Sequence, residues 1–250
     1  MIESGWRRDQ GTEAPTTERD SHVVSIIIPA YNEEATLAAV IERIHRVDTA
    51  PYRKEIIVCD DGSTDGTASV LAQLGEHLDV RTYVSPINLG KGAAVRMGVK
   101  LASGGILLIQ DADLELDPGD YPALLEPFAD PKTTVVYGSR FLGRVAHIPR
   151  RSRWANRFLT ALTNVLFGGH LTDMETAYKV FRREAIEGLR LRCVRFDIEP
   201  ELTARFLRFG HEIREVPVRY DPRTVDEGKK ISLADGFDAV YTLIRCRLFS

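Results

Sequence analysis

The stretch ILLIQDADLE, Ile106–Glu115, decides how the rest of this chain is interpreted. Four apolar residues and a glutamine lead directly into Asp111, Ala112 and Asp113, and a further acid follows at Glu115. A short apolar run bounded by polar residues predicts a buried strand with its carboxylates at the C-terminal end. Open α/β sheets bind their ligands at that end. Carboxylates hold Mg²⁺ or Mn²⁺ together with substrate phosphates, so we predict a metal site at Asp111, Asp113 and Glu115. The alternative is a loop of solvated acids.

Size and charge set limits on the fold and on the site. The chain has 250 residues, 44% of them hydrophobic and 28% charged, which is enough to bury one large α/β domain. Residues 1–139 contain 12 Lys/Arg and 22 Asp/Glu, whereas residues 140–250 contain 21 and 14. The first part therefore carries a charge of −10 and the second +7. This asymmetry predicts a metal site facing an anion site, with solvated charge as the alternative.

Features that report on location are few. Residues 1–22 lack the apolar core of a signal peptide and are predicted to be a disordered tail. There is no apolar run of about 18 residues, the length that a membrane-spanning helix needs. The three cysteines, Cys59, Cys193 and Cys246, are too scattered for a disulfide framework or a zinc motif. These features predict a cytoplasmic protein.

The first strand is predicted at Val23–Ile28 and is expected to stop at Pro29. Ala30, Tyr31, Asn32, Glu33 and Glu34 follow, and Asn32 is a candidate N-cap for a helix with apolar residues at helical spacing. The G-x-G-x-x-G pattern of dinucleotide-binding proteins is missing at this junction. Binding of a cofactor pyrophosphate on a glycine-rich turn is therefore disfavoured.

Two more polar loops follow predicted strands. Residues 55–59 lead into DDGSTDGT, Asp60–Thr67, where a carboxylate can accept a hydrogen bond from a ribose hydroxyl or a base N–H. Simple helix capping by Asp65 or Thr64 is the alternative. A third strand at Val80–Val84 precedes NLGKG, residues 88–92, in which Lys91 either neutralises a phosphate or lies on a solvated turn.

The second half carries a basic segment and two predicted helices. A strand at Thr133–Tyr137 ends near Arg140, and further arginines lie at Arg150, Arg151 and Arg153. Arginines beyond a sheet end suit bidentate capture of a phosphate, although a solvated basic loop is the alternative. Residues 154–167 and 233–249 have the apolar spacing of helices, and the last helix is amphipathic. It either closes the domain or contacts a membrane surface.

Four motifs in order resemble family 2 glycosyltransferases of the GT-A fold. They are PAYNEE at 29–34, DDGSTDGT at 60–67, NLGKG at 88–92 and QDAD at 110–113. The resemblance implies a Rossmann-like, mainly parallel α/β sheet flanked by helices, in a single domain at 23–232 followed by the C-terminal amphipathic helix at 233–250. It also implies a divalent ion, Mg²⁺ or Mn²⁺, and a nucleotide-sugar site formed by Pro29, Ala30, Tyr31, Glu33, Asp60, Asp61, Ser63, Lys91, Asp111 and Ala112.

Three later segments are similar to the polyprenyl-phosphate, or dolichyl-phosphate, mannosyl- and glucosyltransferase branch. They are FDIEPELTARFLRFG at 196–210, EVPVRY at 215–220 and RTVDEGKKIS at 223–232. In that branch a late arginine and lysine reach the phosphates, which points to Arg223 and Lys229. The predicted acceptor-phosphate set is Arg140, Arg150, Arg151, Arg153, Arg223 and Lys229. An acid near 172–183 often serves as base in the wider family, so the predicted catalytic set is Asp113, Arg140, Asp173 and Glu175. The chain departs from the branch in two ways: Glu115 stands where glutamine is common, and C-terminal membrane helices are missing.

The resulting prediction is an inverting, metal-dependent transfer of a hexose from a nucleoside diphosphate sugar, of the GDP-mannose or UDP-glucose type, to a polyprenyl phosphate. Peripheral contact with the cytoplasmic face of a membrane is a further expectation, and no nucleic-acid partner is predicted. One alternative is transfer to a saccharide or small-molecule hydroxyl with Asp173 or Glu175 as base. An alternative of another class is a non-catalytic protein that binds nucleotide sugars.

Overall fold

The computed structural model describes residues 20–143, 148–222 and 233–249, with the backbone alone at residues 76, 77, 150, 233 and 234. Its strands are β1 Asp20–Ala30, β2 Arg53–Asp60, β3 Val80–Val84, β4 Gly104–Ile109, β5 Val135–Ser139, β6 Lys179–Arg182 and β7 Ile213–Pro217. They form one seven-stranded sheet in the order β3-β2-β1-β4-β6-β5-β7. All pairings are parallel except those of β6, which runs antiparallel to β4 and β5. The predicted mainly parallel sheet is confirmed.

Helices cover both faces of this sheet. They are α1 Leu37–Arg46, α2 Thr67–His77, α3 Lys91–Leu101, α4 Tyr121–Leu125, α5 Arg150–Phe167, α6 Ile198–Arg208 and α7 Leu233–Leu248. Ile26 and Ile28 of β1 pack in the core beneath α1, while the intervening Ile27 packs beneath α3 and α6. A strand covered on both faces must be apolar at every position, which explains the continuous run Val23–Ile28.

Two local expectations in the first unit are wrong. Strand β1 begins at Asp20, inside the predicted tail, and continues through Pro29 to Ala30. Pairing with β4 ends at Ile27, so among the described strands Pro29 pairs with β2 alone, and a residue without an N–H is tolerated there. Helix α1 begins at Leu37 after Thr36, and Asn32 is not its cap. The backbone of Asn32 instead adopts a φ of 53°, and its side chain binds the loop after β2.

The C-terminal helix predicted from the sequence is present as α7 and packs on the domain. Its residues Ala239, Leu243 and Cys246 form a third core cluster with Leu159 of α5 and Ala204 of α6. In the described part of the chain, none of the helices is both long enough and apolar enough to cross a membrane.

Candidate active site

The loops after β1 and β2 are joined into one surface by hydrogen bonds between backbone and side chains. The N–H of Asn32 donates to Ser63 Oγ at 2.9 Å, and the N–H of Thr64 donates to Asn32 Oδ1 at 2.8 Å. The N–H of Glu33 donates to Thr67 Oγ1 at 2.9 Å. Because β1 and β2 are parallel neighbours, their C-terminal ends meet at one edge, and the two motifs predicted for donor binding lie together there.

Asp60 ends β2 and is buried at this edge. Its Oδ1 accepts hydrogen bonds from the N–H of Ser63 at 2.9 Å and from Ser63 Oγ at 2.6 Å. Its Oδ2 is buried without a partner among the described residues. A buried carboxylate oxygen without a donor is unfavourable, so this atom is well suited to accept a hydrogen bond from a bound ligand.

Asp61 supports the neighbouring loop. Its two oxygens accept hydrogen bonds from the N–H groups of Leu89 at 2.9 Å and Gly90 at 2.6 Å. Gly62 has a φ of 72°, and a Cβ atom there would lie 2.6 Å from the carbonyl carbon of Ile87. Asp61 therefore fixes the shape of the NLGKG loop, a role that the sequence did not predict.

Lys91 begins α3 and links two distant acids. Its Nζ lies 2.7 Å from Asp111 Oδ1 and 2.7 Å from Glu199 Oε1, and Glu199 is in the first turn of α6. Burial opposes the charge of Lys91, but the two carboxylates outweigh burial and raise its pKa. Lys91 is thus a fixed cation beside the predicted metal loop. Glu199 was missed in the sequence because only the folded chain brings it to Lys91.

The structure does not bring the three predicted metal ligands together. Among the residues described, no group of three or more His, Cys, Asp or Glu side chains is arranged to hold a metal ion. Glu115 Oε2 accepts a hydrogen bond from Tyr220 Oη at 2.9 Å, and Asp113 Oδ1 accepts one from the N–H of Glu115 at 3.1 Å. Mg²⁺ is commonly held by one or two carboxylates together with substrate phosphates. Asp111 and Asp113 supply hard oxygen donors of that kind, so this pair fits such an ion.

Gln110 sets the position of the loop after β4, which carries the predicted metal ligands, and the sequence predicts no role for it. Its side chain is fully buried, and its Oε1 accepts hydrogen bonds from Tyr121 Oη at 2.8 Å and Tyr178 Oη at 2.7 Å. Its Nε2 donates to the carbonyl of Asp111 at 3.0 Å. The end of β4 is therefore fixed by a buried polar network in which each oxygen and nitrogen of the Gln110 side chain is used.

Arg140 follows β5 and forms a bidentate ion pair with Asp173. Arg140 Nε and Nη2 each lie 2.8 Å from a different oxygen of Asp173, and the N–H of Arg140 donates to Oδ2 at 3.0 Å. Asn156 Nδ2 of α5 donates to Oδ1 at 2.7 Å. Burial would raise the pKa of Asp173, but Arg140 and Asn156 outweigh it and hold the pKa below its usual value. In this arrangement Asp173 orients the guanidinium.

Glu175 lies two residues further along the chain, and its pKa is shifted in the opposite direction. Burial, reinforced by Glu199 and opposed by Lys179 and Arg140, raises the pKa of Glu175 to about 7. Its Oε1 is buried and has no hydrogen-bond partner in the described part of the chain. Lys179 is buried, donates to the carbonyls of Met174 and Thr176, and has its pKa lowered to about 8 by burial. Glu175 can therefore exist in both protonation states near neutral pH.

The remaining predicted arginines are only partly described. Arg151 and Arg153 are exposed in the first turn of α5, and residues 144–147, which precede this helix, lie outside the described residues. The side chain of Arg150 and all of Arg223 and Lys229 lie outside the described residues. Their assignment to an acceptor phosphate stays a prediction.

The buried Pro29 and Ala30 end β1 and the partly exposed Tyr31 follows it, while the buried Ala112 separates the two aspartates after β4. The structure thus collects the donor and metal residues predicted from the motifs at the C-terminal edge of β1, β2 and β4. Arg140 approaches this edge from β5, because its guanidinium lies 5.1 Å from the ring centre of Tyr220, the residue bound to Glu115.

The chain matches the family model described as Glycosyl transferase family 2 over residues 25–190. Polyprenol monophosphomannose synthase of Mycolicibacterium smegmatis is 29% identical over 233 residues, which cover 89% of this chain and 86% of that relative. Glycosyltransferase AglD of Haloferax volcanii is 31% identical over 208 residues, which cover 80% of this chain but 33% of AglD. This chain therefore spans about a third of AglD.

Among solved structures, glucosyl-3-phosphoglycerate synthase of Mycobacterium tuberculosis, in complex with Mn²⁺, UDP and phosphoglyceric acid, superposes with a TM-score of 0.69 at 24% identity. The match covers 92% of this chain and 80% of that chain. This likeness confirms the predicted fold class, and the similarity to the polyprenol synthase confirms the predicted resemblance to the polyprenyl-phosphate branch.

Proposed function

Because this chain belongs to glycosyl transferase family 2 and is therefore a glycosyltransferase, we propose that it transfers a hexose from a nucleoside diphosphate sugar to a polyprenyl phosphate, with inversion. The observation that carries the proposal is the Arg140–Asp173 pair. It holds a planar cation in one orientation at the edge of the sheet that carries the donor motifs. An oriented guanidinium suits recognition of a phosphate, which it can bind through two parallel hydrogen bonds.

The donor half of the proposal uses the loops after β1, β2 and β4. Asp60 would accept a hydrogen bond from the ribose or base through Oδ2, the oxygen left without a partner. Asp111 and Asp113 would hold Mg²⁺ or Mn²⁺, which when bound stabilises negative charge on the leaving diphosphate. Lys91, already paired with Asp111, adds a fixed positive charge beside the same group.

The acceptor half follows from the chemistry of a phosphate. A phosphate monoester has a second pKa of about 6, so its oxygens are largely anionic near neutral pH and need no base to attack. Arg140 would orient that phosphate, with Arg150, Arg151, Arg153, Arg223 and Lys229 as further candidates. An acceptor of this kind leaves Asp173 free to act as the counterion of Arg140. The enzyme would then work at the cytoplasmic face of a membrane that contains the lipid.

Glu175 supports a second candidate, transfer to a hydroxyl group. A sugar or small-molecule hydroxyl must lose a proton as it attacks, and a positioned base typically contributes about 10²–10⁴-fold. A carboxylate with a pKa raised to about 7 and one unpaired oxygen is suited to that step. Asp173 is less suited, since its carboxylate is bound to Arg140 and Asn156.

One experiment separates the two candidates. Purified protein is given UDP- and GDP-sugars with Mn²⁺, together with either a short polyprenyl phosphate or the corresponding polyprenol, and transfer is measured for the wild type, Asp173→Asn and Glu175→Gln. We expect transfer to the phosphate alone, and Glu175→Gln should keep activity within about tenfold of the wild type. Transfer to a hydroxyl acceptor, lost by several orders of magnitude in Glu175→Gln, would replace the proposal with the second candidate.

A further inference from the structure

Two neighbouring helices expose apolar stripes that the fold does not use. On α5 the stripe is Trp154, Phe158, Ala161 and Val165, and on α7 it is Phe237, Tyr241, Ile244 and Leu248. In both helices the spacing is i, i+4, i+7, i+11, which places the four side chains on one side of the helix. Trp154 is 71% exposed and Phe237 is 78% exposed. We refer to these eight residues as the α5–α7 face.

The packing of each helix is completed on its other side. Leu159 and Thr163 of α5, and Ala239, Leu243 and Cys246 of α7, are buried. These residues lie about half a turn away from the exposed stripes, given 3.6 residues per turn. Leu159, Ala239 and Leu243 share one core cluster, so the two helices are direct neighbours. Scattered exposed apolar residues need no explanation, but aromatic-rich apolar stripes on two adjacent helices indicate a binding surface.

We propose that the α5–α7 face docks on the surface of an anionic phospholipid bilayer. The charges on the two helices support this partner. Helix α5 contains four arginines, Arg150, Arg151, Arg153 and Arg157, and no acid. The two arginines of α7 are balanced by two aspartates, and its Arg245 pairs with the buried Glu201, so the basic charge comes from α5. Basic residues beside Trp, Tyr and Phe on an amphipathic helix are typical of interfacial membrane binding. A second copy of the chain on this face would instead bring the α5 arginines of both copies together, which like-charge repulsion opposes.

The face lies directly behind the candidate active site. Trp154 and Phe158 flank Asn156, whose side chain points to the opposite side of α5 and donates to Asp173, the partner of Arg140. Docking of α5 would therefore hold Arg140 one helix diameter from the lipid surface, about 10 Å. This consequence for delivery of a lipid phosphate rests on the proposed function. The docking itself depends only on the exposed residues and their charges.

Trp154 provides a direct reporter of docking. The chain has two tryptophans, Trp6 and Trp154, so the full chain carrying Trp6→Phe emits from Trp154 alone. We expect its emission to shift to the blue, and its quenching by brominated lipid to appear, with vesicles of phosphatidylglycerol and phosphatidylcholine. Vesicles of phosphatidylcholine alone should give a weaker change, and salt should weaken binding to the anionic vesicles. Emission that stays unchanged with anionic vesicles would overturn the proposal.

Paired substitutions test the face itself. Trp154→Ser with Phe158→Ser, and Phe237→Ser with Tyr241→Ser, should each weaken co-sedimentation with anionic vesicles by about tenfold or more, because each removes two large apolar side chains. Val84→Ser is the control, since Val84 is exposed on β3 at the other edge of the sheet and should leave vesicle binding unchanged. The affected side chains are exposed, so Tm should stay close to that of the wild type. If Val84→Ser weakened vesicle binding as much as the paired substitutions do, the α5–α7 face would not be the docking surface.

Sedimentation equilibrium tests the alternative that a second copy of the chain, rather than a bilayer, covers the α5–α7 face. A dimer in the wild type that the paired substitutions dissociate, without binding to anionic vesicles, would assign the face to a second copy of the chain and overturn the proposal. The vesicle assays contain no nucleotide sugar. Vesicle binding without transfer to a polyprenyl phosphate would therefore refute the proposed acceptor while leaving the docking surface standing.

Discussion

At the scale of single residues, Asp173 and Glu175 are two positions apart in one buried segment, yet the surroundings drive their pKa values in opposite directions. Arg140 and Asn156 favour the ionised form of Asp173, whereas burial and the nearby Glu199 favour the protonated form of Glu175. From the sequence, both acids are equally good candidates for the catalytic base. They can be told apart only after folding, because Arg140 lies 33 positions from Asp173 in the chain.

The raised pKa of Glu175 predicts how Glu175→Gln changes stability with pH. The pKa is about 7 in the folded protein against 4.5 for an ordinary glutamate, so the folded state binds the proton more tightly. The favourable contribution of protonated Glu175 is complete below about pH 4.5 and is lost as the pH rises through about 7. Relative to the wild type, the glutamine variant should therefore gain stability between about pH 5 and about pH 8, by on the order of 1–2 kcal/mol. Urea unfolding at both pH values measures this gain.

Asp173→Asn is the matched control for that experiment, because the pKa of Asp173 is lowered rather than raised and the change in stability with pH should have the opposite sign. The lowered pKa of Asp173 stabilises the fold above about pH 4, and this contribution is lost as the pH falls through the lower folded value. The asparagine variant should be destabilised near neutral pH by about 3–5 kcal/mol, since it leaves Arg140 without its buried partner. The stability difference between this variant and the wild type should become smaller at acidic pH. Equal pH dependence in the two variants would contradict the assigned protonation states.

Asp113→Asn tests the proposal that Asp111 and Asp113 hold the metal ion, with little expected loss of folding stability. Asp113 is partly exposed beyond the end of β4, and its Oδ1 accepts a hydrogen bond from the N–H of Glu115 that an asparagine oxygen can also accept. We expect a Tm close to that of the wild type and a fall in Mn²⁺-dependent turnover of about 10²-fold or more. Turnover in the presence of EDTA serves as the control. Full wild-type activity in EDTA would refute the metal assignment.

At the scale of elements, α3 packs closely on β1, and this packing fixes the position of the helix that carries Lys91 at its start. The closest approach is at Gly98, where a Cβ atom would lie 2.3 Å from Cγ2 of Ile27. Gly98→Ala should push α3 outward and destabilise the protein by about 1–3 kcal/mol, despite the better helix propensity of alanine. Gly75→Ala in α2 is the matched control, since a Cβ atom there meets nothing within 4 Å. It should stabilise the protein by up to about 1 kcal/mol. Guanidinium unfolding of both variants decides whether α3 tolerates the methyl group.

Strands β1, β2 and β4 and helix α1 can be recognised in the sequence, because each contains a continuous apolar run or a 3.6-residue apolar period. Strands β2 and β3 and the loops that follow the strands lie where the patterns predict them. The antiparallel insertion of β6 between β4 and β5 could not be predicted, since a four-residue strand has no local signal for its neighbours or direction. Asn32 was misassigned for a related reason, because its partner Thr64 lies in another loop.

At the scale of the whole molecule, the acidic first part and the basic second part meet at the site through pairs that no local pattern contains. Lys91 of the acidic part binds Glu199 of the basic part, 108 positions away. Arg140 and Asp173 pair entirely within the basic part. The loops that carry the motifs lie where the sequence predicts them, because each follows its own strand. The charge asymmetry alone could not specify which cation would face which carboxylate, since that depends on the strand order.

A site built from several elements should stabilise the whole fold when its ligands bind. A ligand that binds only the folded state adds about 2.7 kcal/mol at a concentration 100 times its Kd. Under the proposed function, Mn²⁺ bound to Asp111 and Asp113 would also contact the diphosphate, so each ligand should strengthen binding of the other. We therefore expect UDP or GDP with Mn²⁺ to raise Tm by more than the sum of the two separate shifts. Asp113→Asn should reduce the combined shift to that of the nucleotide alone, and UMP or GMP, which lack the second phosphate, should show little cooperation with the ion. A nucleoside diphosphate shift that is the same with Mn²⁺ and with EDTA would mean that the nucleotide binds without the metal, and that the carboxylates after β4 serve another purpose.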